Sequence, residues 1–119
     1  MPWIEDDTGQ AAGLDELAGR VLSGERIPMP AVCPVCGESD SAHVYIDHSG
    51  NPRMGAIWAW CSHCHHYWHA CVLPPAWWQN LDTVDRGRLD GLVEYLAPMA
   101  AAIDAHWMKL ISSYFARSM

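Results

Sequence analysis

The stretch CSHCHHYWHAC, from Cys61 to Cys71, carries seven side chains able to ligate a metal: Cys61, His63, Cys64, His65, His66, His69 and Cys71. A zinc ion takes four donors, so most of these cannot serve at once, and the rest of the chain must say which do. A second motif lies upstream. Cys33-Pro34-Val35-Cys36-Gly37 is another Cys-x-x-Cys pair, and 24 residues separate Cys36 from Cys61. A two-residue spacer lets both sulfurs and nearby backbone N–H groups curl around one ion, and Gly37 can take the positive φ that such a knuckle often needs. Two knuckles together close a tetrahedral site of four sulfurs, a geometry that suits Zn2+.

The histidines compete for the same ion. His63 lies inside the second knuckle, where it is expected to point away from an ion held by its neighbours. His65, His66 or His69 could each replace one sulfur to give a Cys3His site. Otherwise these imidazoles are expected at the surface or hydrogen-bonded around the centre. Cys71 lies beyond the knuckle and is expected to be a buried, small apolar residue rather than a reactive thiol.

Between and around the knuckles the sequence has strand character. HVYID (43–47) and AIWAWC (56–61) are rich in strand formers, and HSGNPRMG between them is turn chemistry, so they read as a hairpin. HYWHACV (66–72) supplies a third strand, with Trp68, Ala70 and Val72 on one face and Tyr67, His69 and Cys71 on the other. Upstream, residues 1–12 read as a loose, acidic lead-in in which only Trp3 and Ile4 could dock. GLDELAGRVLSG then places Leu14, Leu17, Val21 and Leu22 near helical spacing, with Gly24 where a helix over 14–23 would end. Pro28 and Pro30 feed an extended segment into the first knuckle.

Downstream, PPAWWQN breaks the sheet. From the prospective caps Asp82 and Thr83, apolar residues recur at Leu89, Leu92, Val93, Leu96, Met99, Ile103, Trp107, Leu110 and Tyr114, steps that predict a helical tail. Pro98 either kinks that tail or begins a second helix in it. The fold expected is α+β: a three-stranded antiparallel sheet flanked by an N-terminal helix and C-terminal helices. Its 119 residues make one domain, comprising an arm and helix over 1–30, a metal-bound sheet over 31–72 and a helical tail over 73–119.

Composition narrows the functional classes. No run of about 18 apolar residues is present to span a bilayer, and the acidic start, MPWIEDDTGQ, lacks the basic-then-apolar pattern of a secretory signal. A cytoplasmic protein with reduced thiols is expected, where paired Cys-x-x-Cys motifs favour metal over disulfides. The formal charge is −7. Four thiolates on one Zn2+ would take it to about −9, a balance that repels nucleic acid and suits a basic protein partner.

Four thiolates would also close the metal's shell and leave no water to activate, which predicts a structural ion rather than a catalytic one. The chain lacks His-Glu-x-x-His, Gly-x-Ser-x-Gly and phosphate-loop motifs, and His43 is followed by Val44 and Tyr45 rather than by the glutamate of zinc deaminases. A non-enzymatic binding role is therefore expected. The alternative is nucleic-acid binding, with Trp58 and Trp60 stacking on bases, but Arg53 is the only Lys or Arg between the knuckles. For a protein partner, the prospective contacts are the adjacent tryptophans Trp77 and Trp78, which would diverge by about 100° on a helix, together with the acids Asp40, Asp47, Asp82 and Asp85.

The "CPVCG" knuckle, two strands, the "CSHC" knuckle and a third strand resemble a zinc ribbon over residues 31–72. That resemblance implies Cys33, Cys36, Cys61 and Cys64 as ligands of one structural zinc. The sequence departs from the commonest pattern after Cys64, where His65 stands in place of glycine. More loosely, "CPVCG", "AIWAWCSHCHHYWHACVLPPAWW" and the acidic frame resemble bacterial zinc-ribbon immunity proteins over residues 26–80. This implies a cytosolic protein that neutralises a cognate toxin by occluding a basic active-site surface.

Overall fold

A computed structural model of the chain describes residues 3–5, 13–49 and 54–117. Arg53 and most of the acidic lead-in lie outside these residues. Three strands form an antiparallel meander: β2 (Ala42–His48), β3 (Gly55–Cys61) and β4 (His66–Val72). A two-residue strand, β1 (Ile4–Glu5), pairs in parallel with β4, so the sheet is four-stranded and mixed, in the order β1-β4-β3-β2. The expected three-stranded antiparallel sheet holds only in part, because the parallel strand at Ile4–Glu5 makes the sheet mixed and four-stranded. Of the lead-in, the described residues Trp3, Ile4 and Glu5 dock on the sheet and knuckle, at the two apolar residues expected to do so.

Register assigns the two faces. His43 pairs with Trp60 and Trp60 with Tyr67, while Tyr45 pairs with Trp58 and Trp58 with His69. Paired residues share a face, so these aromatic side chains line one side of the sheet. Val44, Ile46, Ile57, Ala59 and Ala70 line the other. Along β3 every residue from Ile57 to Cys61 is buried, which explains why IWAWC is continuously apolar instead of alternating. Helix α1 (Leu14–Leu22) packs Leu14, Leu17, Ala18 and Val21 inward, lies against β3 and β4, and ends before Gly24, whose φ of 99° is open to glycine alone at little cost.

The aromatic face is covered by residues 73–99 and by α2 (Ala100–Arg117). Trp78 meets Tyr45 edge-on at 5.4 Å and Trp107 at 4.9 Å between ring centroids. Trp58 donates its indole N–H to Asp90 O at 2.8 Å, and Trp107 donates to Val44 O. At about 25 cal/mol per Å2 and about 200 Å2 apiece, each such tryptophan gains about 5 kcal/mol on leaving water. That equals the whole net stability of many small domains, about 5 kcal/mol at the low end, so these rings belong in the core.

The tail differs from its predicted helix. Between 82 and 99 the chain forms only two 3-10 turns, Arg86–Arg88 and Ala97–Met99, and regular helix begins at Ala100. Aspartates cause the difference. Asp85 accepts from Gly87 N at 3.0 Å and Asp90 from Leu92 N at 2.8 Å, local bonds that compete with a helical ladder. Asp85, not Asp82 or Thr83, is thus the capping residue. The apolar recurrence still marks burial at Val93, Leu96, Ile103, Trp107 and Leu110, whereas Leu92 is exposed. The side chain of Tyr114 lies outside the described part. Pro98 sits in the turn that leads into α2, so the tail holds one helix, not two.

Candidate metal centre

The two Cys-x-x-Cys segments fold into knuckles with matching backbones. Gly37 N donates to Cys33 O at 2.8 Å, and His65 N donates to Cys61 O at 3.0 Å. Val35 N points at Cys33 Sγ and His63 N at Cys61 Sγ, both at 3.3 Å. The residue after each second cysteine is left-handed, with φ of 78° at Gly37 and 61° at His65. His65 therefore adopts the glycine conformation without glycine, at a cost of about 1 kcal/mol. Its ring stacks on Trp3 with centroids 4.6 Å apart and planes 17° from parallel, and its carbonyl accepts from Ile4 N at 2.7 Å. Both contacts dock β1 against the knuckle.

The sheet brings the knuckles together. Ser41 and Ala42 pair with Ala31 just before the first knuckle, while Ser62 N, in the second, donates to Ser41 O at 2.9 Å. The sulfurs of Cys33, Cys36, Cys61 and Cys64 all lie within 4.8 Å of one another. Cys33 and Cys64 are 3.8 Å apart, as are Cys36 and Cys61. A tetrahedron with metal–sulfur bonds of about 2.3 Å has edges of about 3.8 Å, so the four cysteines are positioned to hold one metal ion. All five thiols are free of disulfides.

Electrostatics at these sulfurs is uneven. Burial pushes the Cys33 thiol up to about 11, against the pull of the Cys36 and Val35 N–H groups. Burial likewise raises Cys64, and the closeness of Cys61 and Cys33 adds to it. Burial opposes ionisation of Cys61 too. There, however, hydrogen bonding with the Ser41 hydroxyl and from the N–H groups of Cys64 and His63 outweighs it, and the thiol falls to about 6. A cation among the sulfurs would offset the burial cost, and the smaller mutual repulsion, that hold protons on Cys33 and Cys64.

Among the described residues this is the only cluster of three or more close Cys, His, Asp or Glu donors. His63 does not turn wholly away, since its Nδ1 lies 3.7 Å from Cys36 Sγ and its Nε2 4.0 Å from a Glu38 carboxylate oxygen. His65 is engaged with Trp3. His69 stacks on Trp58 at 4.9 Å, on the aromatic face, where burial lowers its pKa despite Asp90 and Glu5. Cys71 is exposed rather than buried, because β4 runs on past its cover.

The prospective partner contacts scatter. Trp78 is 3% exposed and donates to Asn80 Oδ1 at 3.0 Å, so it is a core residue and not a surface anchor. Trp77 is half-buried, edge-on to Trp107 at 5.4 Å. Asp47 is bound by the Arg86 guanidinium at 2.7 and 3.1 Å. Asp40, Asp82 and Asp85 are exposed, but Asp85 is occupied as a cap.

The sequence reading missed one polar chain beside the centre. His43 Nδ1 lies 2.9 Å from Asp104 Oδ2, and its Nε2 is 3.3 Å from Ser62 Oγ inside the second knuckle. His43 and Asp104 are both buried. The signal was available: Asp104 stands between Ile103 and Trp107, an acid on the apolar stripe. Although the order Ser-His-Asp matches a nucleophilic triad, Ser62 N is committed to Ser41 O, and the next two N–H groups point at Cys61 Sγ. Those groups are not free to stabilise an oxyanion. The chain instead ties α2 to the knuckle. No protein-family model, curated protein or solved structure matches this chain.

Proposed function

We propose that the four-cysteine cluster holds one structural zinc ion and that the domain is a non-enzymatic, protein-binding zinc ribbon. The observation that carries this reading is the closed, tetrahedrally spaced set of sulfurs, which satisfies zinc without an open position for substrate or water. Acidic balance supports a partner with a basic surface. A cytoplasmic setting is part of this reading, because Cys-x-x-Cys pairs that bind metal suit a compartment where thiols stay reduced. Neutralisation of a cognate bacterial toxin by occlusion is the specific form of this proposal, and it rests on the resemblance of the knuckles and the acidic frame.

The nucleic-acid alternative loses its main support, since Trp58 and Trp60 are packed under residues 73–99 and α2. Native mass spectrometry with elemental analysis tests the metal: one zinc per chain is expected, and a metal-free folded chain would overturn it. Co-expression with the product of the neighbouring gene tests the partner, with a stoichiometric complex that weakens in salt as the expected result. A salt-sensitive shift of DNA or RNA by the isolated chain would count against it.

A further inference from the structure

The two outer edges of the sheet are finished differently. Along β2, Ala31 exchanges hydrogen bonds with Ala42 at 2.8 and 2.9 Å, the Trp107 indole covers Val44 O, and the Asn80 amide bonds both N and O of His48 at 2.8 and 2.9 Å. Side chains and loop thus close an edge that would otherwise recruit another strand. Along β4, β1 pairs only with His66 and Tyr67. The bond from Ile4 N to His65 O turns odd-numbered β4 residues outward. The N–H and C=O of His69 and Cys71 therefore face away from β3, with no partner among the described residues.

Nothing in HYWHACV blunts this edge. It has no proline, lysine or glycine, and its register with β3 runs unbroken from Tyr67 to Val72. At its far end Met54 is 60% and Leu73 66% exposed, beside a cavity of about 330 Å3 lined also by Gly55, Cys71 and Val72. At its near end Glu5 stands in register with Tyr67; burial, with Glu5, Glu94 and Asp90 nearby, raises the Tyr67 pKa, and Asp90 and Glu5 oppose the fall that burial imposes on His69.

We propose that the β4 edge receives an extended segment of a partner protein as a fifth strand, with basic side chains over the Tyr67–His69 face and an apolar side chain over Met54 and Leu73. Main-chain bonds would supply affinity and the alternating side chains specificity. A second copy of this chain is the poorer occupant, because it would bring Glu5, Asp90 and Glu94 against their own kind on a molecule of charge −7. The inference rests on the protein-binding reading above and names the surface it would use.

The test uses the zinc-loaded full chain and an acetylated, amidated peptide of alternating Lys and Val ending in Leu. Two control peptides carry Glu for Lys, or N-methyl groups on alternate residues that remove the strand-pairing donors. Amide exchange read by NMR is expected to be fast at His69 and Cys71 in the free chain, and to slow about tenfold or more with the Lys peptide only. Leu73→Ser should weaken that peptide about threefold or more, as one apolar contact is lost. Slow exchange at both amides before peptide is added, or self-association that protects them, would overturn the assignment. Protection confined to other residues would sink the edge while leaving a module for basic partners. If neither the Lys peptide nor the neighbouring gene product binds at low salt, both readings fail.

Discussion

At His65 the knuckle accepts a backbone conformation that nearly every side chain resists. The resemblance to zinc ribbons marks this position as a departure, and the fold resolves it by keeping the geometry and changing the residue. The strain and the Trp3 stacking can be separated, because His65→Gly and His65→Ala both lose the ring while only glycine relaxes the left-handed φ. His65→Gly is therefore expected to be more stable than His65→Ala by about 1 kcal/mol in chemical denaturation. Equal stabilities would mean that the second knuckle opens at this residue. Gly55 shows the opposite logic: a Cβ there would meet the Pro74 ring and come within 2.6 Å of Asp47 O, so close approach, not φ, requires glycine.

Elements are joined here through a few polar bonds placed inside apolar contacts. The register of β2 against β3 sets His43 beside Trp60, and α2 answers with Asp104 from the same stripe that buries Ile103 and Trp107. Asp104→Ala would leave the His43 Nδ1–H buried and unpaired, at a cost of about 1–3 kcal/mol. Thermal unfolding is expected to show that loss, and a smaller one when His43 is also made apolar; additive losses would refute the pairing. Strands were legible in the sequence because β-branched and aromatic runs ended at clear turn residues, and β4 was read to its exact bounds. The helical tail was over-read from Asp82 to Met99. There the apolar spacing reports which residues touch the core, while Asp85 and Asp90 decide the backbone. Trp3 and Ile4 mark where the lead-in docks, but that it pairs as a strand was not legible, since two residues carry no periodicity and the pairing starts from the carbonyl offered at His65.

For the whole molecule, charge and metal are linked. Cys33 holds its proton to about 11 and Cys64 is raised further by burial, whereas Cys61 ionises near 6. Groups with raised pKa values must release protons when a cation binds, so zinc affinity should increase with pH. At least two protons imply about two orders of magnitude in affinity per pH unit near neutrality. Competition with a chelator of known protonation measures this slope, and a pH-independent affinity would argue that fewer than four thiolates take part. The four clustering cysteines were fully legible from the Cys-x-x-Cys spacing. The fate of the tryptophans was not, because Trp77 and Trp78 look alike in sequence and both reach Trp107, yet Trp78 sits deeper, edge-on to Tyr45 as well, while Trp77 stays half-buried.

The sulfur cage is also lopsided: Cys33 and Cys61 are fully buried, Cys64 is half-covered and Cys36 stands in the open beside His63. An alkylating reagent should meet these thiols in a definite sequence. Cys71 would react first and leave the ion in place, Cys36 would follow and eject it, and the sealed pair would yield only afterwards. Peptide mass mapping timed against metal release would read that order directly. The corner at Cys36 is thus the gate by which the centre would be emptied.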